Sequence, residues 1–224
     1  MLGRPRLHLR NTDSTNERAR ALAAAGAPHG TLVTAAEQSA GRGRQGRTWS
    51  APAGQALLMS LLLREPPRFL PLIAAVAVAE VAGDDARIKW PNDVQLDGRK
   101  VVGILVEGRP QERWAVLGIG LNVAIRVEDL PAELRETATT LGLRPRDVEP
   151  VLERLLDALE RWLDRDAEAV LAAWRERDAL RGREVRWTGG SGRAAGVDDD
   201  GRLRVELAGG GLTALDAGEV HLLR

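Results

Sequence analysis

The 224-residue chain has no cysteine, no tyrosine and a single phenylalanine. Without cysteine there is no disulfide framework, no thiolate nucleophile and no zinc–thiolate site. With so few aromatics, the stacking platforms that usually hold single-stranded nucleic acid are missing. Net charge is absent too: 32 basic residues balance 32 acidic ones, so no broad field draws the chain to DNA or to an acidic membrane. The longest apolar run, LPLIAAVAVA at 70–79, is too short to cross a bilayer and stops at Glu80. The opening MLGRPRLHLRNTD lacks the apolar core of a signal peptide. These exclusions predict a cytoplasmic protein of one large domain, or one domain with a small appendage. His8, His29 and His221 are scattered without metal-ligand spacing and read as incidental.

Lysine is also scarce. Only Lys89 and Lys100 occur, against 30 arginines among the 32 basic residues. Either they survived a drift toward arginine by chance, or both positions need a compact ammonium that a guanidinium fork cannot replace.

What is abundant is concentrated. Residues 41–47 read GRGRQGR, mixing maximal backbone freedom with permanent charge. Fixing seven such residues costs on the order of 7 to 14 kcal/mol of backbone entropy, so the loop is expected to be mobile alone and ordered around an anion. Its spelling is a literal G-x-G-x-x-G, but a dinucleotide fingerprint requires a helix directly after it. Here RTWSAPAGQ follows, with Pro52 and Gly54 interrupting any helix. No Walker A, HRD or DFG string is present.

A strand at 6–10 leads to Ser14-Thr15-Asn16-Glu17, where Ser14 and Glu17 have capping-box spacing. The helix it starts ends at Gly26. Strands are expected at 31–36, 56–64, 86–90, 94–96, 100–108 and 113–123, with a helix at 70–82 and a tight turn at Asp97-Gly98. Aliphatic residues at nearly every position of the last two strands predict burial on both faces. Pro91 fixes a turn that presents Asn92 and Asp93 outward. Two amphipathic helices follow, at 149–165 and 166–182, the second capped by Asp166 and ended by Gly182. From Arg183 the chain changes to short strands between GGSG, DDDG and AGGG, with Leu203, Val205 and Leu207 alternating against charged residues. The expected organisation is α+β: a large unit at 1–182 and a small SH3-like barrel at 183–224.

Four segments carry the chemistry: STN at 14–16, Gln38 with GRGRQGRTW at 41–49, KWPND at 89–93 and GRKVVGIL at 98–105. On these motifs the chain resembles the biotin protein ligases, with matching segments in the family's order between about residues 10 and 125. Only 13 residues precede STN, so the resemblance is to the monofunctional type without the N-terminal DNA-binding domain. It implies a mixed central sheet flanked by helices, as in class II aminoacyl-tRNA synthetases, with the small barrel behind it. It also implies activation of biotin by MgATP to biotinyl-5′-AMP with release of pyrophosphate. The biotinyl group then passes to a lysine on the biotin carboxyl carrier domain of a carboxylase such as acetyl-CoA carboxylase.

Residue by residue, the resemblance assigns catalysis to Lys100, Arg42 and Asp93. It gives biotin to Ser14, Thr15, Asn16, Gln38, Arg42, Gly43, Arg44, Lys100 and Gly103. ATP or the adenylate falls to Arg44, Arg47, Trp49, Lys89, Asn92 and Asn122. Mg²⁺ arrives with ATP, with Asp93 as one possible protein ligand. The capping box accounts for Ser14 without any ligand, and turn chemistry accounts equally for Asn92-Asp93. Val102 stands where the family more often has a small residue, and Ala51 where serine is usual before Pro52; neither touches a charged contact. A homodimer is expected, and no DNA or membrane contact. The rivals are a lipoate–protein ligase, disfavoured by KWPND and the arginine loop, and an RNA-holding module, disfavoured by the missing aromatics.

Overall fold

The computed structural model describes residues 1–216 and 220–223, the side chains of 109 and 110 excepted. Strands β1 (Arg6–Thr12), β2 (Leu32–Gln38), β3 (Ala56–Arg64), β4 (Arg87–Lys89), β5 (Asp93–Leu96), β6 (Arg99–Arg109) and β7 (Trp114–Asn122) share one sheet, ordered β1-β2-β3-β7-β6-β5-β4. Only β1 and β2 pair in parallel, and helix α1 (Thr15–Ala24) connects them. All other neighbours are antiparallel, which makes the sheet mixed.

The period of two in β3 and β7 divides the sheet into two unlike faces. Leu57, Met59, Leu61 and Leu63 of β3 join Ala115, Leu117, Ile119 and Leu121 of β7 in the main core. That core is filled by α2 (Leu70–Ala82), which is apolar nearly all round and mostly buried. Outside α2 lie α3 (Val148–Leu163), presenting Val151, Leu152, Leu155 and Leu159, and α4 (Ala167–Glu176), presenting Val170, Leu171 and Trp174. On the opposite face α1 covers one end of the sheet with Ala19 and Ala23 against Val33, Leu62 and Val116. The rest of that face carries the site.

The expected helix at 166–182 is shorter than its sequence pattern. Asp166 caps it, accepting from the Ala169 N–H at 2.8 Å, but the helix stops at Glu176. The next residues pair with edge strand β4: Ile88 N donates to Arg177 O at 2.7 Å and Ala179 N to Ile88 O at 2.9 Å. Arg177 also caps the carbonyls of Gly83 and Ala86. Continuing the helix would leave that sheet edge unpaired. The tight turn at Asp97-Gly98 forms as expected, with both residues at positive φ (50° and 73°).

The C-terminal strands β8 (Glu184–Trp187), β9 (Gly190–Val197), β10 (Leu203–Glu206), β11 (Leu212–Leu215) and β12 (His221–Leu222) form a separate five-stranded antiparallel sheet of SH3-like type, ordered β11-β10-β9-β8-β12. Two expectations need correction here. GGSG belongs to β9 from Gly190 onward, because Gly192 packs where a β-carbon would overlap the Glu206 carbonyl. Leu207 does not continue the alternation; it lies in the turn after β10, where its N–H donates to Gly211 O, and is exposed. Trp90 Nε1 donates to Gly201 O at 3.1 Å, and Arg68 pairs with Asp200 at 2.6 Å, so both units touch through the KWPND turn and the start of α2. Among the described residues no helix is long and apolar enough to cross a membrane.

Asp178 sits at this junction with Oδ1 accepting from Leu180 N and Oδ2 buried without a hydrogen-bond partner. Burial pushes its carboxyl above the usual range, against the lowering effect of those backbone bonds and of Arg181. A raised folded pKa gives stability that is full below the unfolded pKa and lost as pH rises through the folded one. Urea titrations from pH 4 to 8 should therefore show wild type losing stability relative to Asp178→Asn across that window. Parallel pH dependence of the two proteins would refute the assignment.

Candidate active site

A cavity of about 800 Å³ opens on the sheet face that α1 leaves uncovered. Its floor is made of glycines. Gly103 of β6 pairs with Gly120 of β7, and Gly118 lies two residues further along β7. A β-carbon at Gly103 would come within 2.8 Å of the Trp49 ring and one at Gly120 within 2.5 Å, while one at Gly118 would overlap Asn16 Oδ1. β7 is buried nearly throughout, as the aliphatic run suggests, but β6 is buried on its core face only, with Lys100, Gly103, Leu105 and Glu107 half-buried on the other. That face is kept open by these glycines for a tryptophan ring and an amide.

At one end the cavity is lined by neutral polar groups. Thr15 donates to Gln38 Oε1 from both its N–H (2.8 Å) and its hydroxyl (3.0 Å). Ser60, fully buried on β3, lies within hydrogen-bonding distance of Thr15 Oγ1 and Asn16 Oδ1. Asn16 Nδ2 donates to Glu107 at 2.9 Å. Ser14 has the backbone of an N-cap, yet its side chain makes no capping bond; it is 3% exposed and lines the cavity. The capping-box reading of Ser14 and Glu17 therefore fails. Glu17 instead pairs with Arg20 and Arg42.

The 41–49 segment folds over this end as a narrow loop. Gly43 N donates to Arg47 O at 2.7 Å and Trp49 N to Gly41 O at 2.9 Å, with Gln45 and Gly46 at positive φ (56° and 76°) forming the tip. Gly41 is required where a β-carbon would overlap the Trp49 carbonyl. A single 3₁₀ turn, Arg44–Gly46, stands where a dinucleotide fold would start a helix. Arg42 reaches outward to Glu17 (3.1 Å) and Glu107 (3.3 Å), whereas Arg44 reaches across to Asn92 Oδ1 at 3.0 Å.

The other end is cationic. Lys100 Nζ lies 2.7 Å from Asp93 Oδ1, an ion pair without the alignment of a hydrogen bond, and 5.6 Å from the centre of the Trp49 ring. Lys100 reaches this face because β6 carries a bulge. Val94 pairs with Val102 but Gln95 with Lys100, so one extra residue lies between them. Strict alternation would place Lys100 with Val102 and Ile104 in the core; the bulge moves it to the row of Gly103 and Leu105. Val102 itself is fully buried in the main core, so its methyl groups are absorbed there and do not narrow the floor.

Burial lowers the Lys89 ammonium below the usual lysine range; Asp93 opposes this, while Lys100 and Arg47 add to it. Arg44 is likewise lowered by burial, with Asp93 opposing. The turn does not present Asn92 and Asp93 outward. The Trp90–Pro91 bond is cis, Asn92 donates to Ile104 O at 2.8 Å, and Asp93 begins β5 beside the cavity. Asn122 lines the cavity with its amide donating to Thr139 O at 2.8 Å.

Every sequence-assigned residue borders this cavity. Sequence reasoning missed Ser60, Glu107, Gly118 and Gly120, and dismissed His221, which β12 brings to the cavity edge. The GIG spacing at 118–120 was the one legible signal among these. Among the described residues no group of three or more His, Asp or Glu side chains is placed to hold a metal ion, and Asp93 is already occupied by Lys100. An ion carried by phosphates needs only one or two carboxylates from the protein, and Asp93 lines the cavity beside the cations.

A glycine-floored sheet face with neutral hydrogen-bonding groups at one end and clustered cations at the other has the make-up of a small-molecule site in an enzyme domain, suited to polar and anionic groups. The comparisons identify the kind. The chain belongs to the Biotin/lipoate A/B protein ligase family, which matches residues 9–123, and residues 181–223 match the Biotin protein ligase C terminal domain. The Biotin--[acetyl-CoA-carboxylase] ligase of Mycobacterium tuberculosis is 37% identical over 240 residues, covering 95% of this chain and 87% of its own. The Bifunctional ligase/repressor BirA of Bacillus subtilis is 38% identical over 218 residues; the match covers 86% of this chain but 66% of that longer protein. The structure of the biotin protein ligase from Aquifex aeolicus in complex with biotin and ATP superposes with a TM-score of 0.81 at 29% identity, over 99% of both chains.

Two outcomes test the site's construction. Gly118→Ala should displace the Asn16 amide from Ser60 and cost about 1–3 kcal/mol of stability through overpacking, measured by denaturant unfolding and a crystal structure. Unchanged Asn16 geometry would contradict the glycine-floor account. For Lys89, anion binding is full below its folded pKa and lost above it. Asp93→Asn removes the charge that opposes the depression, so ATP affinity measured by calorimetry should begin to fall at lower pH than in wild type. Coincident pH profiles would show that Asp93 does not support Lys89.

Proposed function

We propose that this chain activates biotin with ATP to biotinyl-5′-AMP, releasing pyrophosphate, and transfers the biotinyl group to a specific lysine of a biotin carboxyl carrier domain. The observation that supports it best is the placement of Lys100. It lies against Asp93 and the Trp49 ring, beside Gly103, in the same cavity as the neutral recess and as Lys89, Arg44 and Arg47, which suits a charge shared between a carboxylate and a phosphate.

In the first step a biotin carboxylate oxygen attacks the α-phosphorus and pyrophosphate leaves. Lys100, a point charge, is shared between the two oxyanions and offsets the charge that builds as they approach. Ser14, Thr15, Asn16 and Gln38 hold the ureido ring, with Gly103 leaving room above the floor. Arg42 and Gly43 close on the carboxylate end, while Arg44, Arg47 and Lys89 take phosphate oxygens. Trp49 and Asn122 line the adenylate, and Asn92 steadies Arg44. Mg²⁺ enters with ATP, and Asp93 is the carboxylate that would ligate it from the protein side. In the second step a carrier lysine amine attacks the mixed anhydride and AMP leaves; Asp93, released from Lys100, accepts the amine proton. Closure of the arginine loop excludes water that would hydrolyse the adenylate.

The division at 182/183 fits this reading, with the second sheet starting at Glu184 and contributing to the cavity edge rather than to the recess. A cytoplasmic enzyme goes with ATP as co-substrate. A homodimer is a further expectation, to be tested by light scattering.

Incubation with MgATP and either biotin or lipoate, followed by an apo carrier domain, separates this reading from a lipoate ligase. Pyrophosphate release and a mass increase of the carrier are expected with biotin only; lipoate turnover without biotin turnover would overturn the proposal. Lys100→Ala should lower the rate of adenylate formation by about 10²- to 10³-fold with an unchanged circular dichroism spectrum. Activity close to wild type would remove Lys100 from its assigned role.

A further inference from the structure

Glu107 has no place in the roles assigned above, yet it connects two of them. It continues the row of Gly103 and Leu105 on the cavity face of β6, and its side chain is 19% exposed. Its two oxygens have different partners. One accepts from Asn16 Nδ2 at 2.9 Å. The other faces Arg42 at 3.3 Å and Arg20 at 3.6 Å.

An asparagine amide has nearly the same shape either way round, so only its partners decide which end is oxygen. Asn16 is 4% exposed and has Ser60 at Oδ1 and Glu107 at Nδ2. A carboxylate accepts and never donates, so Glu107 forbids the reversed amide. Through its other oxygen it tethers Arg42 of the mobile-composition loop to the same strand that carries Lys100. Glu17 holds Arg42 from the α1 side.

Resting on the biotin-ligase reading, we infer that Glu107 is a positioning residue for biotin: it sets the polarity of the Asn16 amide in the ring recess and ties the arginine loop to it. Glu107 acts through Asn16 and Arg42 and does not itself line the cavity.

The test is a mutant cycle with Glu107→Gln, Asn16→Ala and the double variant, read by steady-state pyrophosphate release and by calorimetry of biotin alone. Glu107→Gln keeps the shape but admits the reversed amide and loses the Arg42 charge pair. Its KM for biotin should rise about 10-fold or more, as expected for a hydrogen bond to a charged group. Its KM for ATP and its kcat should stay within about threefold. The double variant should be worse than Asn16→Ala by less than the full Glu107→Gln effect, since the Asn16 contact is already lost and only the Arg42 contact remains to be removed. An unchanged KM for biotin overturns the inference, as do multiplicative effects in the double variant. Glu107→Asp, which keeps charge but withdraws the contact, is the second variant. If both Glu107 variants lose thermal stability while their folded fraction binds biotin like wild type, Glu107 is structural and the inference fails. A wild-type protein that forms no biotinyl-AMP would instead sink the functional reading beneath it.

Discussion

One extra residue in β6 governs the site. Side chains alternate along a strand, so the parity of Lys100 relative to Ile104 decides whether an ammonium faces the core or the cavity. The bulge opposite Val94 and Gln95 changes that parity once. Val101 and Val102 both remain buried, while Lys100 joins Gly103, Leu105 and Glu107. Lys100 thereby comes to lie within reach of Asp93 and of the Trp49 ring. Without the shift, the same sequence would bury an ammonium among aliphatic side chains, at a cost of several kcal/mol.

The glycines of β6 and β7 solve the complementary problem. A central strand pair is normally filled on both faces, and filling this one would leave no recess. Gly103, Gly118 and Gly120 remove the side chains where Trp49 and Asn16 approach. Each glycine weakens the strand by its entropy, and that cost is tolerated because the opposite face of the same strands, packed on α2, carries the stability. The cations are concentrated in a partly buried place for the same reason. Burial lowers Lys89 and Arg44 below their ordinary ranges, and Asp93 is the anion that opposes the shift in both. Binding an anionic ligand there relieves like-charge repulsion that the protein otherwise carries.

Much of this was legible in the chain. The helix at 70–82, the turn at Asp97-Gly98, the strands around the loop and the antiparallel character of the C-terminal unit follow from periodicity and turn chemistry. The segments STN, GRGRQGR and KWPND pointed to one family and to one cavity. Where the reading failed, a non-local partner had overridden a local pattern. The helix after Asp166 is cut short because β4 needs an edge partner. Ser14 looked like a cap but turns into the cavity, and Leu207 looked like core but lies in a turn. His221, isolated in the sequence, is carried to the cavity edge by a strand more than a hundred residues from KWPND.

The sequence by itself determined the inventory: which residue types are available, which chemistries are absent, and which short segments bear charge on a flexible backbone. Those are properties of composition and local spacing, and both act within a few residues. The tertiary structure alone decided orientation. Which face Lys100 occupies, which way round the Asn16 amide lies, and that Glu107 joins the arginine loop to the ring recess all depend on register between strands distant in the chain. No local periodicity encodes a bulge or a partner across a sheet, because the energy that selects them comes from burial and hydrogen bonding between segments that meet only after folding.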